Sequence, residues 1–446
     1  MEEAMIQLSD HFDYKRLLRY TLPSIIMLVF TSIYGVVDGF FVSNYVGKTP
    51  FAAVNFIMPV LMILGAIGFM FGTGGGALIA KTLGEGDQKK ANEIFSMLVA
   101  VSLASGFLLA VLGQLLLRPL AALLGAEGQM LENSVAYGRV ILLALPSFIL
   151  QYEFQCLFAT AQKPKLGLYV TVAAGLTNAV LDALFVVVFS WGLAGAAAAT
   201  AMSQCVGGIL PLVYFGRPNT SLLRLSRPVF NGKALLRTCT NGSSELMSNI
   251  SMSIVSMLYN IQLLAYAGEN GIAAYGVLMY VNFIFQAVFL GYSVGVAPVI
   301  SYHAGAGNYK ELNNLLKKSL CLIACLSLVM FGAAELFAKP LSTLFVGYDP
   351  ELLEITLRAF FLYSFSFLFF GFAVFGSSFF TALNDGLVSA IISFLRTLLF
   401  QVAAVLTFPL IWGLDGIWLS IVAAEMMAVV VSVFFLFLKR HAYHYF

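Results

Sequence analysis

The chain has 446 residues, 60% of them hydrophobic and only 10% charged, which excludes a water-soluble globular protein. Its formal net charge of +2 gives no reason to expect a nucleic-acid partner, so the placement of the charges has to inform instead. Apolar runs of spanning length recur along the whole sequence, about twelve of them, and little is left over for a soluble domain.

The N-terminal stretch MEEAMIQLSDHFDYKRLLRY is acidic and then basic, and no small-residue cleavage site follows. It reads as an uncleaved cytoplasmic lead into the first span. The runs then fall at 18–43, 52–80, 92–117, 134–160, 166–189, 193–215, 236–265, 272–300, 314–337, 355–382, 387–410 and 415–438. Each must be a helix, because lipid offers no partner to a free backbone amide.

The first carries Pro23, which removes a backbone bond and marks a hinge, and then Tyr34 and Asp38 one turn apart. The second has a small-residue stripe, Gly65, Gly68, Gly72 and Gly76, suited to close helix packing. Gly84 and Gly86 then turn the chain, as Gly305 and Gly307 do after the eighth. In the fourth, Gln151 and Gln155 share a face while Glu153 lies about 200° round the helix from Gln151. Either side of that helix suits the wall of a cleft.

The fifth holds Asn178 and Asp182 on one face, the sixth Thr200, and the seventh Glu245. Arg396 in the eleventh and Glu425 in the twelfth both fall near mid-membrane on consecutive antiparallel helices, the arrangement of a structural ion pair. The five cysteines lie in or at the ends of spans and read as packing residues. No Ser–His–Asp set or nucleotide loop is present, so an enzyme is not expected and no cofactor is called for.

Most Lys and Arg fall on one side of this twelve-span arrangement, which puts both termini in the cytoplasm and the chain in the cell membrane. Displaced by 221 residues, the sequence meets itself without a gap. Pro119-Leu120 falls on Pro340-Leu341, Thr160-Ala161 on Thr381-Ala382, and Trp191-Gly-Leu-Ala-Gly on Trp412-Gly-Leu-Asp-Gly. The implied fold is all-α and polytopic, with two six-helix lobes related by a pseudo-two-fold axis along the membrane normal. The lobes are 1–215 and 233–446, joined by a basic cytoplasmic linker at 216–232.

The repeat fails at Asp38, Asn178, Asp182 and Thr200, which shift onto Tyr259, Leu399, Ala403 and Ile421. The first lobe alone therefore carries this polar set, and the fold does not demand it. Counted from the outer ends of their helices, the four lie at similar depth, roughly 8–18 Å down. Two carboxylates, an amide and hydroxyls are hard oxygen donors, suited to Na⁺ or a shared proton. A buried acid in a span normally faces an ion, a partner or a water path.

In these residues the chain resembles the multidrug and toxic compound extrusion (MATE) family, over essentially its full length. The DinF-like branch of that family has a bent first helix with a Pro, a Tyr and Asp one turn apart, Asn-x-x-x-Asp in the fifth helix and a Thr in the sixth. Pro23, Tyr34, Asp38, Asn178, Asp182 and Thr200 match that pattern. The NorM-like branch has acids in helices 7 and 10; Glu245 is kept here, but the tenth span has no acid. The resemblance implies a monomeric antiporter that exports lipophilic, mostly cationic drugs by alternating access in exchange for H⁺ or Na⁺. Asp38, Asn178, Asp182, Thr200 and Tyr34 would be its coupling site; the residues themselves offer Gln151 and Gln155, or Glu153 instead, as substrate contacts, and Glu245 as either a substrate contact or a structural pair. The alternative is a lipid-linked-oligosaccharide flippase of a related family, whose diphosphate headgroup would call for a more basic cavity than one with a single deep Arg.

Overall fold

A computed structural model describes residues 6–445; residues 1–5, which begin the N-terminal lead, and Phe446 lie outside the described residues. Ten described helices are long and apolar enough to cross a membrane, and a pair bent by 62° adds one more. The longest, Gly232–Gly305, is itself two crossings. Gly268 leaves helical geometry at φ 61°, ψ −149°, and Tyr259 stacks on Tyr275 with centroids 5.5 Å apart. Continuous helix would hold those two rings about 24 Å apart. The chain therefore crosses twelve times.

In order the crossings are α1 (Tyr14–Val46), α2 (Lys48–Gly84), α3 (Gln88–Leu123) and α4, the bent pair Gly128–Leu143 and Leu145–Thr160. Then come α5 (Pro164–Val188), α6 (Gly192–Gly216), α7 (232–267) and α8 (269–305). Last are α9 (Tyr309–Val346), α10 (Pro350–Ala382), α11 (Gly386–Trp412) and α12 (Leu414–Tyr443). Most run past the apolar windows of the sequence. A helix continues until a cap satisfies its free amides, as where Asp13 accepts from Arg16 N at 2.7 Å and Asp87 from Lys90 N at 3.0 Å. Helix α1 passes through Pro23 as one unbroken helix.

Buried apolar residues form four clusters, the smallest joining Met27, Leu28 and Cys156 to Ala287 and Val294 of the other half. One apolar core uses only residues between Val42 and Ala197, and another only residues between Val255 and Trp418. A third, on the face bearing both chain ends, draws on both halves and joins Phe95, Phe154 and Phe215 to Phe289, Phe375 and Phe379. The halves are thus separate lobes at one face and fused at the other.

Glycine makes that fusion close. A Cβ on Gly84 of α2 would stand 2.0 Å from the Tyr302 carbonyl of α8, and one on Gly305 2.1 Å from the Lys81 carbonyl. These two glycines are therefore contact points between lobes, and the turns expected of them fall to Gly86 (φ 87°) and Gly307 (φ 66°). The stripe Gly65, Gly68, Gly72 and Gly76 packs α2 on α4, with Gly68 against the Ile149 carbonyl.

Irregular segments tie down the fused face. Phe12 N donates to Glu311 Oε1 at 2.9 Å, and its carbonyl accepts from Lys318 Nζ at 2.7 Å. The segment between α6 and α7 lies along α3: Arg224 N donates to Asn92 Oδ1 at 3.1 Å and Ser226 N to Ser96 Oγ at 2.8 Å. At the other end of the chain, Tyr443 donates to Asp385 Oδ2 at 2.9 Å, just before α11 begins.

Candidate functional site

Helix α1 carries Asp38 about 12 Å short of its last residue, inside the first lobe. Glycine at 175 lets α5 approach: a Cβ there would meet Phe30 at 2.5 Å and the Tyr34 ring at 3.0 Å. Helix α6 is tied to α5 where Ser203 Oγ donates to the Ala174 carbonyl at 2.8 Å. Directly after Asp182 the α-helix gives way to a π-helical stretch, Ala183–Val188. A π turn adds a residue to the helical circuit and is found mostly at functional sites, because it resets which side chains face inward.

These approaches bring the sequence-predicted set together. Thr200 Oγ1 donates to Asp38 Oδ1 at 3.0 Å, and Asn178 Nδ2 reaches the same oxygen at 3.5 Å. Asp182 is fully buried and lies carboxyl to carboxyl with Asp38. No N–H or O–H donor of the described residues, other than a proton on Asp38 itself, serves either Asp182 oxygen. The remaining Asn178 oxygen is also buried and without a donor. Tyr34 lies one turn before Asp38, between that carboxyl and Gln151.

One member of the cluster was not legible in the sequence. Tyr137, from the first half of bent α4, is fully buried with its phenol toward Thr200, Asp38 and Asp182. Its apolar neighbours in SVAYGRVILL give it no signature, and only the bend in α4 turns it into the cluster.

Helix α4 places the three other polar residues in different surroundings. Gln151 packs on Gly207 of α6, close to Tyr34. Gln155 is buried with neither amide atom partnered among the described residues. Glu153 is 0% exposed, near Ser102 of α3, and neither carboxylate oxygen has a hydrogen-bond partner among the described residues.

Glu245 lies elsewhere, in a small cavity between the lobes. The walls include Thr73 of α2, Cys156 and Thr160 of α4, Ser293 of α8, and Ser378 and Thr381 of α10. In the second lobe Arg396 Nε donates to Glu425 at 2.9 and 3.2 Å, and its guanidinium carbon stands 4.5 Å from the centre of the Phe370 ring. Arg396 belongs to another π-helical stretch, Leu395–Leu399.

Three comparisons relate this chain to known proteins. The MatE family model matches residues 23–184 and again 246–406, two matches in nearly the register of the internal repeat. The multidrug export protein MepA of Staphylococcus haemolyticus is 24% identical over 449 residues, covering 99% of this chain and 97% of that protein. The fold matches, with TM-score 0.92 and 23% identity over 99% of both chains, the outward-facing conformation of a multidrug resistance MATE family transporter of the MOP superfamily. A MATE crystal structure in the straight conformation matches with TM-score 0.93 at 22% identity, again over 99% of both chains.

Proposed function

The chain belongs to the MatE family, a family of membrane transporters and not of enzymes, and we propose that it is an antiporter exporting lipophilic, mostly cationic compounds in exchange for H⁺ or Na⁺. The observation that carries the coupling is the contact of Asp38 with Asp182, buried together with Thr200 and Asn178 and with no basic side chain among the contacts described above. Two neighbouring carboxylates repel strongly where water is scarce, and one proton or one monovalent cation between them removes the repulsion. Occupancy of the cluster therefore has a large energetic consequence for the packing of α1, α5 and α6. That is what coupling requires.

The lobes, 1–215 and 233–446, would rock about the fused face and the 216–232 linker, with both termini in the cytoplasm. Pro23 lies on α1 between the fused face and Asp38, where it would let the helix bend as the cluster loads. The chain's abundant Phe, Met and Tyr, together with its buried acids, suit amphipathic cations. A flippase for diphosphate-linked sugars is less well supported, because the charges deep in the spans are mostly acidic: Asp38, Glu153, Asp182, Glu245 and Glu425 stand against Arg396.

The test is ethidium retention in cells and ethidium uptake in everted vesicles. Expression of the chain should lower retention, and collapsing the H⁺ and Na⁺ gradients together should abolish the effect. Export that persists without either gradient would overturn the coupling.

A further inference from the structure

The second lobe holds a positive group that the coupling scheme does not use. Arg396 binds Glu425 through Nε, which donates to both carboxylate oxygens, while neither Nη atom makes a hydrogen bond among the described residues. The side chain is 12% exposed, against 2% for Glu425, so the acid is sealed in and the guanidinium edge is not. Phe370 covers one face of the guanidinium and holds it in plane. Four N–H groups in the membrane thus stand ready for an acceptor, in the fork geometry that matches a carboxylate.

Other charges decide what kind of acceptor fits. Glu425 already offsets the Arg396 charge, and Glu245 of α7 is near enough to interact with it. A simple anion would meet a neighbourhood that is negative on balance. A zwitterion would not, since its cationic part would offset Glu245 while its carboxylate took the free edge of Arg396. The first lobe has no counterpart: position 175, which the 221-residue repeat sets against Arg396, is Gly.

We propose that the Nη edge of Arg396 binds the carboxylate of zwitterionic amphiphiles, making the second lobe a specificity site beside the acidic first lobe. This rests on the exporter reading above, and the test separates the two. Rhodamine B carries a delocalised cation and a free carboxylate; its ethyl ester keeps the cation and loses the carboxylate. Both dyes would be followed in proteoliposomes holding the full chain, with binding measured in detergent by fluorescence anisotropy.

Wild type should bind rhodamine B at least fivefold more tightly than the ester. The Arg396→Gln/Glu425→Gln double variant, which swaps the ion pair for an amide pair, should lower the ratio of acid to ester transport about tenfold. Glu425→Gln alone frees Arg396 from its competitor and should move the ratio the opposite way. An unchanged ratio in a variant that still moves the ester would overturn the proposal. If the double variant does not fold, equal or weaker binding of rhodamine B than of its ester by wild type overturns it instead. Failure of wild type to move either dye would count against the exporter reading.

Discussion

The two lobes share a backbone plan and differ in what they bury. At the level of Asp38, the second lobe has Tyr259, whose hydroxyl donates to Gln401 at 3.2 Å, a neutral pair that needs nothing from outside. Where the second lobe has Arg396 and Glu425, the first has Gly175 and Gln204. Arg396 and Glu425 of the second lobe thus offset each other, base against acid, while Glu245 stands apart in the cavity between the lobes. The first lobe leaves two acids facing each other, with donors for only one of them. A self-neutralised pair can stay as it is through a cycle, whereas an un-neutralised one must take up and release an ion. Duplication supplied the scaffold, and divergence of a few buried side chains gave each copy its own electrostatics.

The largest test of this contrast is to neutralise the first lobe. Asp38→Asn and Asp182→Asn should each bring gradient-driven ethidium export in vesicles down to background while the detergent melting temperature holds or rises, because burying an amide costs less than burying a charge. Export near wild type from either variant would mean that the acid pair does not couple.

Breaking the second lobe should act on stability first. Arg396→Met or Glu425→Leu alone leaves a buried charge without its partner, a loss of about 3–5 kcal/mol. The double variant should recover most of that in a melting experiment. Single-variant losses that simply add in the double would show that the pair does not act as a unit.

A finer probe is Tyr137→Phe, which keeps the ring and removes only the phenol beside Thr200. That hydroxyl is buried without a hydrogen-bond partner among the described residues, so its loss should leave the melting temperature level or higher while removing a polar group beside the cluster and slowing export roughly fivefold. The homologous position in the repeat is Arg358, which pairs at 2.8 Å with Asp415 in an exposed setting. Arg358→Gln should therefore change export little, since exposed pairs contribute about 1 kcal/mol or less. Equal effects of the two substitutions would erase the distinction between the lobes at this level.

The sequence by itself determined the number of crossings, the internal repeat, and which lobe carries the acids. Hydropathy reports burial in lipid directly, and a fixed offset between Trp191-Gly-Leu-Ala-Gly and Trp412-Gly-Leu-Asp-Gly needs no coordinates. Depth along each helix also predicted that Asp38, Asn178, Asp182 and Thr200 could meet, because helical rise is constant. Rotation about the helix axes was a different matter. Whether Glu153 faces a cleft or Ser102, and whether Tyr137 faces lipid or Asp182, depends on the bend in α4 and the π turn after Asp182. The bend in α4 has a signature in Pro146, just past the break at Ala144, whereas nothing in the sequence around Asp182 marks the π turn. In the same way, Gly84 and Gly305 read as turn residues until the fold set each against a carbonyl of the other lobe. Local propensity fixes what a residue permits, and only tertiary packing decides which surface makes use of it.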